Sequence, residues 1–164
     1  GSSGSSGSSG TSGSDISFAV LADDVATTST SFVDVLDDSN CGLKFPVVSG
    51  ETYWFRFTII YSSNSGLRGS GWAINGPTLG AGDASYRAEW SSGAKSRQLY
   101  DGLTGYDATV ANASAAATAG NIAIIEGIIK CSASGDVIAR MLSENITNTI
   151  TAKKYSSVQY KKIS

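Results

Sequence analysis

Histidine is absent from the 164-residue chain, and cysteine and proline occur only twice each. The lack of histidine closes the Ser-His-Asp and Cys-His routes to an activated nucleophile and removes the commonest zinc ligand. Cys41 and Cys131 lie too far apart for a metal motif or a disulfide framework. They read as two free, buried thiols, with a single bridge as the alternative, and free thiols fit assembly in a reducing cytosol. No apolar run approaches the roughly 20 residues of a membrane span, and no signal peptide is visible, so no membrane partner is expected. The chain opens without methionine, which reads as a processed, fused or trimmed start. Basic residues are also scarce: 12 Lys and Arg against 14 Asp and Glu give a net charge of −2. Nucleic-acid binders concentrate positive charge against phosphate, so no nucleic-acid partner is expected.

Without histidine, the remaining catalytic option is a pair of carboxylates about 5–10 Å apart, as in glycosidases. Asp23, Asp24, Asp34, Asp37, Asp38, Asp83, Glu89, Asp101 and Asp107 could supply one on paper. Acids in turns are common for reasons unrelated to catalysis, and the chain is read as non-enzymatic and free of cofactors. The stretch "LDDSNCG" offers oxygen ligands but lacks the spaced Asp residues and distant Glu of a calcium loop. The sequons "NAS" and "NIT" matter only in a secreted eukaryotic protein.

Helical periodicity is the last thing missing; what replaces it is short runs of Val, Ile, Tyr and Phe between Gly, Ser, Asn and Asp clusters. Residues 1–14, "GSSGSSGSSGTSGS", form a flexible Gly/Ser linker or tag that can bury nothing. Residues 15–164 are read as one domain, long enough to bury a core without staples. Strands are expected near 16–21, 23–28, 31–36, 42–48, 51–62, 70–75, 84–91, 106–111, 121–132, 135–143, 148–154 and 156–163. The separators "DDSNCG", "SSNSG", "NGP", "SASG" and "ENITN" carry turn chemistry. So many short strands in one domain point to an all-β fold, a two-sheet antiparallel jelly-roll sandwich. Lys153, Lys154, Lys161 and Lys162 read as charges that blunt edge strands against aggregation. The weaker pattern from about 76 to 120 is read as long exposed loops, where Tyr86, Trp90, Tyr100 and Tyr106 could contact a ligand.

The stretch "SGETYWFRFTIIYSS" is unusual because neither face of its strand is properly polar. Alternation puts Tyr53, Phe55, Phe57, Ile59 and Tyr61 on one face and Trp54, Arg56, Thr58 and Ile60 on the other. A strand facing only water is more polar than the second set. "NIAIIEGIIKC" repeats the pattern, with Glu126 and the terminal Lys130 on an otherwise apolar second face, and "DVIARMLSE" adds Arg140 and Glu144. The turn "SASG" is expected to join the last two stretches as a hairpin. Arg56, Glu126, Arg140 and Glu144 are therefore expected to form one polar cluster, with Trp54 and Ile60, inside a subunit interface.

Together "DVATTSTSFVDV", "GLKFPVVSGETYWFRFTIIYSS", "INGPT", "IAIIEGIIKCSASGDVIARMLSE" and "ITAKKYSSVQYKKI" resemble the C-terminal jelly-roll domain of tailed-phage structural proteins. The resemblance covers about residues 20–164 and is one of pattern and order. It implies a sandwich similar to the tumour necrosis factor fold, assembled as a homotrimer whose inner sheets pack around a threefold axis. Trp54, Arg56, Ile60, Glu126, Arg140 and Glu144 would then be interface residues, and no cofactor is implied. The expected function is that of a non-enzymatic bacteriophage virion structural protein, either a trimer that decorates or cements the capsid or the head of a short fibre. Its partners would be its own copies and the major capsid protein or another virion component, with assembly in the bacterial cytoplasm and a final place on the virion surface. The alternative is a receptor-binding fibre tip that holds host glycan through the Tyr86, Trp90, Tyr100 and Tyr106 loops.

Overall fold

The computed structural model describes residues 15–93, 95–115 and 117–164. The Gly/Ser segment expected to be a linker or tag lies outside the described residues. The described chain is all-β, with twelve strands: β1 (Ser17–Val20), β2 (Val25–Thr27), β3 (Val33–Asp34), β4 (Lys44–Val47), β5 (Thr52–Ser63), β6 (Ser70–Asn75), β7 (Leu79–Ser92), β8 (Ser96–Leu103), β9 (Asn121–Cys131), β10 (Gly135–Ser143), β11 (Ile150–Ala152) and β12 (Ser157–Lys162).

They form two antiparallel sheets that pack as a sandwich. The large sheet runs β1-β12-β5-β9-β7-β8, with β11 continuing alongside β5 and carrying β2. In the small sheet β10 is central, with β6 along one edge and β3 and β4 in succession along the other. The alternation read from the sequence dictates this layering. Phe55, Phe57, Ile59 and Tyr61 of β5 are wholly buried against the small sheet, and Trp72, Ile74, Val137 and Met141 meet them from the other side. Phe45 is the aromatic hub between layers, its ring 5.7 Å from Phe55, 6.0 Å from Phe57 and 5.0 Å from Tyr160. Tyr61 and Trp72 repeat the contact further along, with ring centroids 4.8 Å apart. Burying side chains of this size contributes about 1.5–3 kcal/mol each, which holds the layers together.

Four expectations need correction. First, β9 and β10 are not a hairpin. Both edges of β9 are already occupied, by β5 and β7, so the chain crosses at residues 132–134 and β10 joins the opposite sheet. Secondly, the expected strand near 84–91 is longer than read and has a partner: β7 and β8 form a hairpin across a segment read mostly as loops. The segment near 106–111 is not a strand of either sheet; it lies along β6, where Asp107 N–H donates to Ile74 O at 3.1 Å and Asn112 N–H to Ser70 O at 3.1 Å. Thirdly, the lysine pairs do not sit on an edge strand as read: β12 lies between β1 and β5, with β1 covering it as far as Tyr160 and Lys161 and Lys162 continuing along β5, and Lys153 and Lys154 sit in the turn before it. Fourthly, both cysteines are free as expected, but Cys41 is exposed and only Cys131 is buried.

One glycine is required by packing. A Cβ on Gly127 of β9 would lie 2.3 Å from Ser85 O and 2.5 Å from Tyr86 Cα, so β7 reaches its neighbour only because that position carries no side chain.

Candidate interface on the outer face of the large sheet

The large sheet turns its second face away from the core, and register decides what shares it. Arg56 of β5 stands opposite Glu126 of β9, and Glu126 stands opposite Arg87 of β7. Arg87 donates to Glu126 Oε1 through Nε at 2.8 Å and through Nη2 at 2.5 Å. Its Nη1 lies 3.8 Å from Glu89 Oε2, and Arg97 of β8 donates to Glu89 Oε1 at 3.3 Å. The result is a ladder of alternating sign, Arg56–Glu126–Arg87–Glu89–Arg97. The Glu126 hydrogen bond holds the Arg87 pKa above its ordinary value, with help from the charge of Glu126 and of Glu89.

Arg56 ends this ladder incompletely. Its closest carboxylate oxygen is Glu126 Oε2 at 3.6 Å, and its buried Nε has no hydrogen-bond acceptor. Arg87 takes the other oxygen of the shared carboxylate, at hydrogen-bonding distance, and so holds the closer of the two ion pairs to Glu126.

Around the charges the face is apolar. Phe18 and Val20 on β1, Ile60 on β5, Ile122 and Ile128 on β9 and Leu99 on β8 are between 38% and 62% exposed. Trp54 stands opposite Ile128, and Ile60 opposite Ile122. Isolated exposed aliphatics are ordinary, but six on one sheet face form the kind of patch that marks an association surface.

The expected single cluster of four charges is split by the strand crossing. Arg56 and Glu126 share the large sheet, whereas Arg140 is on β10 in the small sheet and Glu144 follows the end of that strand. Both are engaged within the chain. Arg140 donates to Asp107 Oδ2 and, at 2.7 Å, to Phe32 O, while its Nε lies 2.9 Å from Asp34 Oδ1 without hydrogen-bond alignment. Glu144 accepts the Gly69 N–H at 2.9 Å and returns its own N–H to Gly69 O at 3.1 Å. Arg140 thus ties β3, β10 and the segment after β8 together, and Glu144 joins two loops at one end of the sandwich.

The aromatic residues proposed for ligand loops are placed differently as well. Tyr86 and Trp90 are buried on the inner face of β7, because every second residue of that strand points to the core. Tyr86 donates its hydroxyl to Gly105 O, and burial raises its pKa. Tyr100, on β8, stacks on Trp90 at 5.5 Å. Tyr106 is half-buried and donates to Pro77 O at 2.6 Å. They form packing and not an open platform.

A cleft of about 510 Å³ beside β2 and β3 is lined by Asp23, Asp24, Asp34, Asp37 and Asp38. Three of its carboxylates have structural partners: Asp24 binds the Lys153 ammonium and the Lys154 N–H, Asp34 faces Arg140, and Asp37 Oδ1 accepts the Ser39 and Cys41 N–H groups. Among the described residues no cluster of Cys, Asp and Glu is arranged to hold a metal.

Sequence reasoning missed Arg87 and Arg97 and named Glu89 only as a catalytic carboxylate on paper. The signal was present in "SYRAEWS", where Tyr86, Ala88 and Trp90 alternate with Ser85, Arg87, Glu89 and Ser91, but the surrounding glycines and small residues obscured it. No protein-family model matches the chain, and a search of curated proteins finds no relative.

Proposed function

We propose that the chain is a non-enzymatic structural protein of a bacteriophage virion, a homotrimer that decorates or cements the capsid or forms the head of a short fibre. The observation that carries the self-association is the outer face of the large sheet, where exposed aliphatic side chains surround an ion ladder that ends in a part-exposed Arg56 held only by a 3.6 Å ion pair to Glu126. A chain that stayed alone in water would leave these groups in contact with solvent along most of a sheet face. A second copy would cover them and could offer a carboxylate to the guanidinium of Arg56, whose side chain is 41% exposed. Alternating charge suits this, since a rotated copy can set its positive rungs against negative ones.

The strand order supports the resemblance to a jelly roll. Rolling up one long hairpin pairs first with last and so inward, and the chain pairs β1 with β12, β4 with β10 and β5 with β9. It departs at β7, which pairs with β9 and leaves the side of β6 to residues 107–112. The virion reading rests on that resemblance together with the associating face. Assembly in the bacterial cytoplasm and a final place on the virion surface follow from it.

Two measurements test the reading. Light scattering should give the mass of three chains, reduced to one chain by Arg56→Ala, and a native chain of monomer mass would refute it. Purified undecorated capsids should bind the trimer to saturation; empty heads that take up none would remove the decoration and cementing role.

A further inference from the structure

We infer that self-association closes three copies into a three-sided prism in which the β8 edge of each copy lies against the β1 edge of the next. This rests on the self-association proposed above and names the elements that meet.

The two edges are the ends of the six-strand path β1-β12-β5-β9-β7-β8. Each neighbouring pair on that path is antiparallel, so the first and sixth strands run in opposite directions. A copy rotated about an axis parallel to the strands therefore brings its β8 beside β1 in antiparallel orientation, and the same contact repeats until the ring closes.

One lateral row crosses all six strands: Val20, Ser157, Thr58, Ile124, Glu89 and Leu99. Rotation without a shift along the axis sets Leu99 level with Val20 of the next copy. Both side chains are about half exposed in the isolated chain, at 49% and 51%, and Phe18 beside them is 62% exposed. The charges agree with this register. Arg97 and the exposed Lys95 lie above Leu99, on the level where the neighbouring chain continues from Val20 to the exposed Asp23. Neither Lys95 nor Asp23 makes an ion pair among the described residues.

The width of the sheet selects the number of copies. Six spacings of about 4.8 Å, one of them between copies, give a side of roughly 29 Å, which places the middle of each side about 8 Å from a threefold axis. A face-to-face pair would hold the sheets at a half-spacing of roughly 5 Å, and a square ring would hold them roughly 14 Å from the axis, too far to fill. The middle strands are β5 and β9, whose outer faces carry Trp54, Arg56, Glu126 and Ile128. Such long side chains fit the intermediate distance, and the shorter Val20 and Leu99 fall at the corners.

Cysteine cross-linking tests this in a Cys41→Ser background. Val20→Cys together with Leu99→Cys should oxidise, or react with a short bis-maleimide, to a covalent species of three chains on a denaturing gel, and either substitution alone should give no covalent trimer. Hydrogen exchange on the unaltered chain should show β1 and β8 amides becoming protected on assembly. A trimer by light scattering that gives no three-chain product, or a dimer from either single cysteine, would overturn the edge contact and leave the proposed function standing. Monomer mass in light scattering would overturn both.

Discussion

Replacing Arg140 separates intramolecular work from assembly. In Arg140→Ala the hydrogen bonds to Asp107 and to Phe32 O disappear, and Asp34 loses a cation 2.9 Å away. Hydrogen bonds to charged groups contribute about 1.5–3 kcal/mol each, and an uncompensated buried carboxylate adds to the loss. Solvent access reduces the sum. The Asp34 and Asp107 side chains are 41% and 34% exposed, so water reaches them once the guanidinium is gone. A net cost of about 2–3 kcal/mol follows, a fall in Tm of roughly 5–10 °C for a domain of this size. Arg56→Ala should behave in the opposite way. Its contact with Glu126 is a half-exposed 3.6 Å ion pair, which contributes no more than about 1 kcal/mol to one chain, yet its removal should abolish assembly. Urea unfolding at dilute and at high protein concentration, with light scattering on the same samples, reads both effects. If Arg140→Ala released monomers without lowering the stability of the dilute chain, the assignment of the two arginines to separate roles would be wrong.

Gly127→Ala should cost at least about 2–3 kcal/mol or prevent folding, because the new Cβ meets β7 backbone and not a movable side chain; calorimetry on the purified variant measures it. Tyr61 is pushed up to about 12 by burial from an ordinary 10.0, and burial raises Tyr86 and Tyr106 as well. The unfolded chain ionises first, so the stability these groups contribute is full below about pH 10 and falls as the pH rises towards about 12 and above. Tyrosinate absorbance should show them titrating late or only on unfolding, and native titration of all seven tyrosines near pH 10 would contradict their burial. A thiol reagent should label Cys41 in the native protein and reach Cys131 only in denaturant, since one is exposed and the other buried.

Where burial alternates with period two, the residues themselves disclosed the structure. The expected strand at 51–62 is β5, and 70–75 and 135–143 coincide with β6 and β10. The outward set Trp54, Arg56, Thr58 and Ile60 is likewise where alternation puts it. What alternation cannot convey is which sheet a strand joins. "SASG" is acceptable as a hairpin turn or as a crossing between layers, and the choice was made elsewhere, by β5 and β7 occupying both sides of β9. The face of β10 that carries Arg140 is as read, but Arg140 was assigned to the wrong sheet for that reason alone. Tyr86 and Trp90 were misplaced for a different one: small residues at 80–85 and 91–94 resemble loop composition, but Gly127 opposite Tyr86 lets a strand pack there. The middle of β7 was expected from the sequence at 84–91; its extension to Leu79–Ser92 and its pairing with β9 depend on the non-local partner.

The interior position of β12 has a consequence for how the molecule forms. β12 is downstream of every other strand, yet it separates β1 from β5 and pairs with both. Until residues 157–162 arrive, β1 has nothing to dock on and the Tyr53–Thr58 stretch of β5 has a bare edge. The large sheet thus cannot be finished progressively from its N-terminal end, and loop-closure entropy across almost the whole domain is met at a single late step. A nascent or shortened chain would present an apolar strand with unpaired amides, an invitation to pair with other molecules, so a complete chain escapes such pairing only when β12 reaches its slot before a neighbour does.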